Sequence, residues 1–92
     1  MGERRDKLDI VSDILKSIQD KGGRIKPTHL LYKSNLSHEG MKRYIEELKV
    51  KLMIIEEEDP KKNLRYFIIT DKGLKFLQDY KKIREFTDSF GL

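Results

Sequence analysis

Counted at about 100° per residue from Leu8, the apolar residues Ile10, Val11, Ile14, Leu15 and Ile18 share one arc of roughly 160°. Asp9, Ser12, Asp13, Lys16, Gln19 and Asp20 occupy the opposite side. This spacing predicts an amphipathic helix that stops at Gly22-Gly23, where glycine can turn the chain left-handed without a Cβ penalty. An arc this wide suits contact with two neighbours. Residues 1–7 form a charged, frayed lead-in. A short helix is predicted from Thr28 as N-cap, with Pro27 preventing backward extension and Leu30, Leu31 and Tyr32 on its apolar side.

Asn35-Leu36-Ser37 then reads as a tight interhelical turn, because Asn tolerates positive φ and Ser37 is a good N-cap. The following helix, about His38 to Lys51, gathers Met41, Tyr44, Ile45, Leu48 and Leu52 within an arc of roughly 100°. Beyond it the period falls from 3.6 to 2. Residues 53–57 are β-prone, 58–63 form a turn rich in charge with Pro60 and Asn63, and 64–69 are β-prone again, which together predict a hairpin. Thr70 caps a last helix, with Asp71 placed favourably in its first turn. Leu74 and Leu77 lie on one side of that helix. Phe76, Tyr80, Ile83, Thr87 and Phe90 follow the 4, 3, 4, 3 spacing of a coiled-coil seam on the other.

At 92 residues the chain is one domain, 1–92, and its core is small. Domains of this size often need a disulfide, a metal or a partner. With no cysteine and only His29 and His38 as borderline ligands, neither a disulfide nor a zinc site is predicted. That leaves oligomerisation. The seam over 71–90 is the expected dimer interface, formed by Phe76, Tyr80, Ile83, Thr87 and Phe90, and it implies a homodimer.

Lys and Arg number 20 against 16 Asp and Glu, for a net charge of +4. An anionic partner is favoured only mildly. No apolar run approaches the roughly 20 residues of a membrane span, and no apolar signal core follows the N-terminus, so a cytoplasmic protein is expected. The abundance of Lys and Glu, with few Gln or Asn, is similar to proteins of hot-growing organisms. No nucleophile stands beside a base, no glycine-rich phosphate loop occurs, and too little chain remains to enclose a small-molecule substrate. No enzymatic activity and no cofactor are therefore predicted.

Helix, short helix, turn, helix, hairpin, helix is the order of a winged helix-turn-helix: a mainly α fold with a β-hairpin wing. The chain also resembles the small archaeal winged helix-turn-helix DNA-binding proteins, which include chromatin-associated and regulator-like members that dimerise through a C-terminal helix. The resemblance runs from about Leu8 to Tyr80. Its most specific pieces are Tyr32-Lys33-Ser34-Asn35-Leu36-Ser37, Tyr44-Ile45-Glu46-Glu47-Leu48, and Ile69-Thr70-Asp71-Lys72-Gly73-Leu74-Lys75-Phe76-Leu77. One departure stands out. Where the family usually has glycine two residues before the wing's first isoleucine, this chain has Leu52; either Leu52 is left-handed or the helix ends differently.

The resemblance implies double-stranded DNA as partner, bound by a nucleoid-associated transcriptional regulator or architectural protein. Residues 38–51 would then be the recognition helix in the major groove and the 58–65 wing would meet backbone or minor groove. Lys42 and Arg43 stand where base edges are read, Arg43 being the best candidate for a guanine, while Ser37 and His38 face phosphate. Lys61, Lys62 and Arg65 arm the wing, and Thr28, Lys33 and Asn35, with Lys26, border the bracing helix. Tyr32 and Tyr44 are expected in the core rather than as stacking platforms. The acidic run from Glu56 to Asp59 either holds the wing clear of the DNA or marks a wing that does not bind it. The alternative function is a protein-interaction module, with Glu39, Glu46 and Glu47 meeting a basic partner.

Overall fold

Three helices of this protein end in the same backbone motif, and that repetition sets the path of the chain. The computed structural model describes residues 6–92. In order, the elements are α1 (Lys7–Asp20), β1 (Arg24–Ile25), α2 (Pro27–Ser34), α3 (His38–Val50), β2 (Ile54–Asp59), β3 (Leu64–Ile69) and α4 (Asp71–Ser89). The mainly helical winged-helix architecture expected from the sequence is present, with a three-stranded antiparallel sheet ordered β1-β3-β2.

At the end of α1 the Gly23 amide donates to the Ile18 carbonyl and the Gly22 amide to Gln19, both at 2.9 Å, with Gly22 at φ 79. This pair of bonds is the Schellman closure. At the end of α4, Leu92 donates to Thr87 and Gly91 to Asp88, both at 3.0 Å, around Gly91 at φ 75. The end of α3 is built alike: Met53 donates to Leu48 at 2.9 Å and Leu52 to Lys49 at 3.0 Å. Its left-handed residue is Leu52, at φ 61. Of the two alternatives the sequence left open, the first holds.

The frayed lead-in falls mostly on residues 1–5, which lie outside the described residues. Asp6 and Lys7 belong to the helix instead: the Asp6 carboxylate accepts from the Asp9 amide at 2.9 Å and Lys7 opens α1. Thr28 does not cap α2. The N-cap is Lys26, without a side-chain bond, and Pro27 occupies the first turn, where its fixed φ and missing N–H are harmless. The entry needs no polar cap because Ile25 is already held in β1, paired with Phe67. That strand has only two residues and escaped the sequence reading, since a pattern of period 2 needs more than two positions to show.

Ser37 and Thr70 cap as expected, accepting the Gly40 amide at 3.0 Å and the Gly73 amide at 3.1 Å. Asn35 takes φ 56 in the turn. The core joins Val11, Ile14, Leu15 and Ile18 of α1 to Ile25, Leu30, Met41, Ile45, Leu48, Ile54, Phe67 and Ile69. Ile14, Leu15, Ile18, Leu30 and Ile54 are wholly enclosed, each contributing roughly 1.5–3 kcal/mol by burial. The wide arc of α1 reflects its packing against both α2 and α4. Leu74, Leu77 and Tyr44 pack half-buried against this core, but Tyr32 is 85% exposed, contrary to its expected core role. Tyr32 falls on the solvent side of α2 because Leu30 and Ser34, four apart, define its buried line.

Candidate nucleic-acid interface

Helix α3 is held at its C-terminal half and left free at its N-terminal half. Lys7 of α1 reaches Glu47 at 2.6 Å. Lys49 pairs with Glu56 of β2 at 3.1 Å and lies 3.8 Å from Glu46. Lys72 of α4 donates to the Lys51 carbonyl at 2.7 Å, and the Thr70 hydroxyl to the Leu52 carbonyl at 2.6 Å. The carbonyls of Lys51 and Leu52, just past the end of α3, thus receive donors from the N-cap and first turn of α4. The side chains of Glu46, Glu47 and Lys49 are each engaged within the chain, and Lys51 through its backbone carbonyl.

Lys42 and Arg43, by contrast, are exposed, and among the described residues neither makes an ion pair. His38 opens α3 and is exposed, and Ser37 spends one lone pair on the cap. Thr28, Lys33 and Asn35 are exposed along α2 and its turn. A groove of about 380 Å³ between α2, α3 and the wing brings together four of the predicted contacts, Thr28, His38, Lys42 and Arg65. Its floor is apolar, from Leu31, Met41, Ile45 and Phe67, and Glu46, Lys49 and Glu56 complete its charged rim.

The acidic run of the wing turns inward on the chain's own cations. Glu56 holds Lys49 and, at 3.3 Å, Arg65. Glu57 pairs with Arg24 at 3.3 Å, while the Arg24 guanidinium lies 3.8 Å above the Tyr66 ring centre. Asp59 accepts the backbone amides of Lys61 and Lys62 at 3.1 and 3.3 Å, shaping the tip on which both lysines are exposed. Glu58, facing Arg65 across the ladder, makes no ion pair among the described residues. Arg65 therefore shares the groove with Thr28, His38 and Lys42 but is engaged rather than free.

On α4, Phe76 and Tyr80 stack at 6.2 Å and are half-buried, Phe76 against the core. Farther along, Ile83, Phe86 and Phe90 are exposed by 60 to 67%. Phe86 meets Phe90 edge-on at 5.1 Å and extends the apolar face; the strict seam spacing passed over it. Thr87 is half-buried, its hydroxyl donating to the Arg84 carbonyl. Three interactions at the interface had no linear signal: Lys7–Glu47, Lys49–Glu56–Arg65, and Arg24 over Tyr66. Each joins residues brought together only by strand register or helix packing. Among the described residues no helix is long and apolar enough to cross a membrane.

The fold agrees with what comparison with known proteins finds. The structure is similar to the DNA-binding protein Sso10a-2 from Sulfolobus solfataricus, with a TM-score of 0.75, 20% identity, and 95% of this chain and 90% of that one covered. It is similar also to F93 from STIV, a winged-helix DNA-binding protein, with a TM-score of 0.69, 19% identity, and coverage of 89% and 92%. BpsR of Bordetella bronchiseptica, whose DNA binding is regulated by 6-hydroxynicotinic acid, matches with a TM-score of 0.73 and 16% identity over 87% of this chain and 61% of its own. No curated protein matches the chain. Residues 4–88 match the family model described as winged helix-turn-helix, and the chain belongs to that family.

Proposed function

We propose that the protein binds double-stranded DNA as a homodimer, acting as a transcriptional regulator or an architectural protein of the nucleoid. The observation that carries this reading is the division of α3. Its N-terminal half presents Lys42 and Arg43 to solvent without ion pairs among the described residues, while Glu46, Glu47 and Lys49 of its C-terminal half are paired within the fold. The free half is the part of a recognition helix that meets base edges. His38, Ser37, Thr28, Lys33 and Asn35 flank it as phosphate contacts, and Lys61 and Lys62 supply a second basic point at the wing tip. The DNA binding of Sso10a-2 and F93 supports carrying the reading to this chain.

The dimer would form along the distal part of α4, through Tyr80, Ile83, Thr87 and Phe90 with Phe86 added and Phe76 at its margin. Three large apolar side chains left this exposed within one helix favour a covered face. A protein-interaction role is less well supported, because of Glu39, Glu46 and Glu47 only the exposed Glu39 lacks an ion pair among the described residues, Glu46 and Glu47 facing Lys49 and Lys7. A mobility-shift titration with generic duplex DNA at low and moderate salt tests the proposal. Binding that weakens steeply with salt supports it, because phosphate neutralisation releases counterions. An unshifted duplex at low salt would reject it.

A further inference from the structure

We propose that Glu56 is an internal stand-in for DNA phosphate, which withholds Arg65 from the nucleic acid and so sets the strength and salt dependence of binding; this rests on the DNA-binding reading above. Glu56 lies on β2 with its side chain facing the groove between the wing and α3. One carboxylate oxygen accepts from Lys49 at 3.1 Å and the other from Arg65 at 3.3 Å. The carboxylate is only 21% exposed, whereas Arg65 is 55% exposed and stands on the rim that Lys42 and His38 share. A guanidinium at that position is suited to a phosphate oxygen. In the free protein it is already matched to an acid.

The two cations differ in what would follow loss of that acid. Lys49 keeps Glu46 at 3.8 Å. Arg65 makes no second ion pair among the described residues, although Glu58 stands opposite it across the ladder, so it is the cation freed from Glu56. The same pairings account for an otherwise contradictory surface. A wing strand carrying four successive acids would repel DNA, but Glu56 and Glu57 are matched to cations and Asp59 to backbone amides. Only Glu58 remains as plain repulsion.

Glu58 provides the control. It faces Arg65 across the ladder and its substitution removes the same charge without freeing any cation. The test is fluorescence anisotropy of the full chain with a generic duplex over a series of salt concentrations, for wild type, Glu56→Gln, Glu58→Gln, Arg65→Ala and the double variant Glu56→Gln/Arg65→Ala. Circular dichroism confirms that each is folded. Glu56→Gln is expected to bind roughly threefold to tenfold tighter, with a log–log salt slope steeper by about one contact. Glu58→Gln should tighten binding with the slope unchanged. Arg65→Ala should change little alone and should cancel the steeper slope of Glu56→Gln.

An unchanged or shallower slope in Glu56→Gln, or identical behaviour of Glu56→Gln and Glu58→Gln, overturns the stand-in role. Absence of binding by wild type and every variant at low salt would instead overturn DNA binding itself.

Discussion

The Thr70 hydroxyl donates to the Leu52 carbonyl at 2.6 Å while its oxygen accepts the Gly73 amide at 3.1 Å. One side chain thereby caps the start of α4 and satisfies the strained end of α3. The Thr70 amide adds a third bond, to the Met53 carbonyl at 3.0 Å. The exit of α3, the proposed recognition helix, is fixed to the helix proposed to dimerise, so the pitch of one is tied to the direction of the other.

Leu52 is where this junction is under strain. A left-handed conformation costs a non-glycine residue about 1–2 kcal/mol, and the unfolded-state freedom of glycine returns about 0.5–1 of any gain. Leu52→Gly should therefore raise unfolding stability by up to about 1 kcal/mol, its side chain being 63% exposed and contributing little packing. Leu52→Val should lower stability by about 1–2 kcal/mol, since a β-branched residue fits positive φ worst. Urea denaturation of the three proteins checks the order.

Gly73 makes the opposite case. In a helix, alanine is ordinarily favoured over glycine by about 1 kcal/mol. Here an added Cβ would stand 2.5 Å from the Met53 carbonyl oxygen and 2.8 Å from Ile69 Cγ1. Backbone on one side and a buried isoleucine on the other leave little room to yield. Gly73→Ala should destabilise by about 1–3 kcal/mol despite its better helix propensity, read as a lower thermal midpoint.

Lys7 and Glu47 make stability depend on pH in a defined direction. The hydrogen bond and charge of Lys7 hold the Glu47 carboxyl below its ordinary value near 4.5, and Glu47 holds Lys7 above 10.5. A lowered carboxyl contributes stability that is complete above about 4.5 and is lost as pH falls through the folded value. The lysine's share is present below 10.5 and fades as pH rises through its raised value. Glu47→Gln should be less stable than wild type at neutral pH, and the difference should shrink on acidification below about 4.5. Chemical denaturation across pH measures it, and a constant difference would count against the pair.

The proposed dimer face makes a separate prediction. Phe86→Ser together with Ile83→Asp should convert a dimer to a monomer in light scattering while leaving the domain folded, because both side chains are largely exposed in the single chain. Truncation after Gln78 should do the same. A monomeric wild-type chain would remove the basis for this face.

Much of the fold is legible in the linear pattern. Caps such as Ser37 and Thr70, the glycine stop after α1, and the change of period at Met53 act over a few residues, and each formed where expected. The failures share a cause. Thr28 reads as a cap by type, but the entry to α2 is set by Ile25 pairing with Phe67, a contact distant in sequence. Tyr32 reads as apolar by spacing, but an eight-residue helix has too few turns for the spacing to fix its buried side. The candidate interface divides the same way: the exposure of Lys42 and Arg43 follows from position on a helix, whereas the capture of Arg65 by Glu56 depends on strand register and is invisible to any local rule.

The free half of α3 is proposed to meet DNA. Anisotropy titration of a generic duplex with wild type and with Lys42→Ala/Arg43→Ala, at two salt concentrations, tests it directly. The wild type should bind and weaken steeply with salt; the double variant should bind more weakly, with a slope shallower by about two contacts and an unchanged thermal midpoint. Equal affinity and slope for the two proteins, or no binding by wild type at low salt, would contradict it.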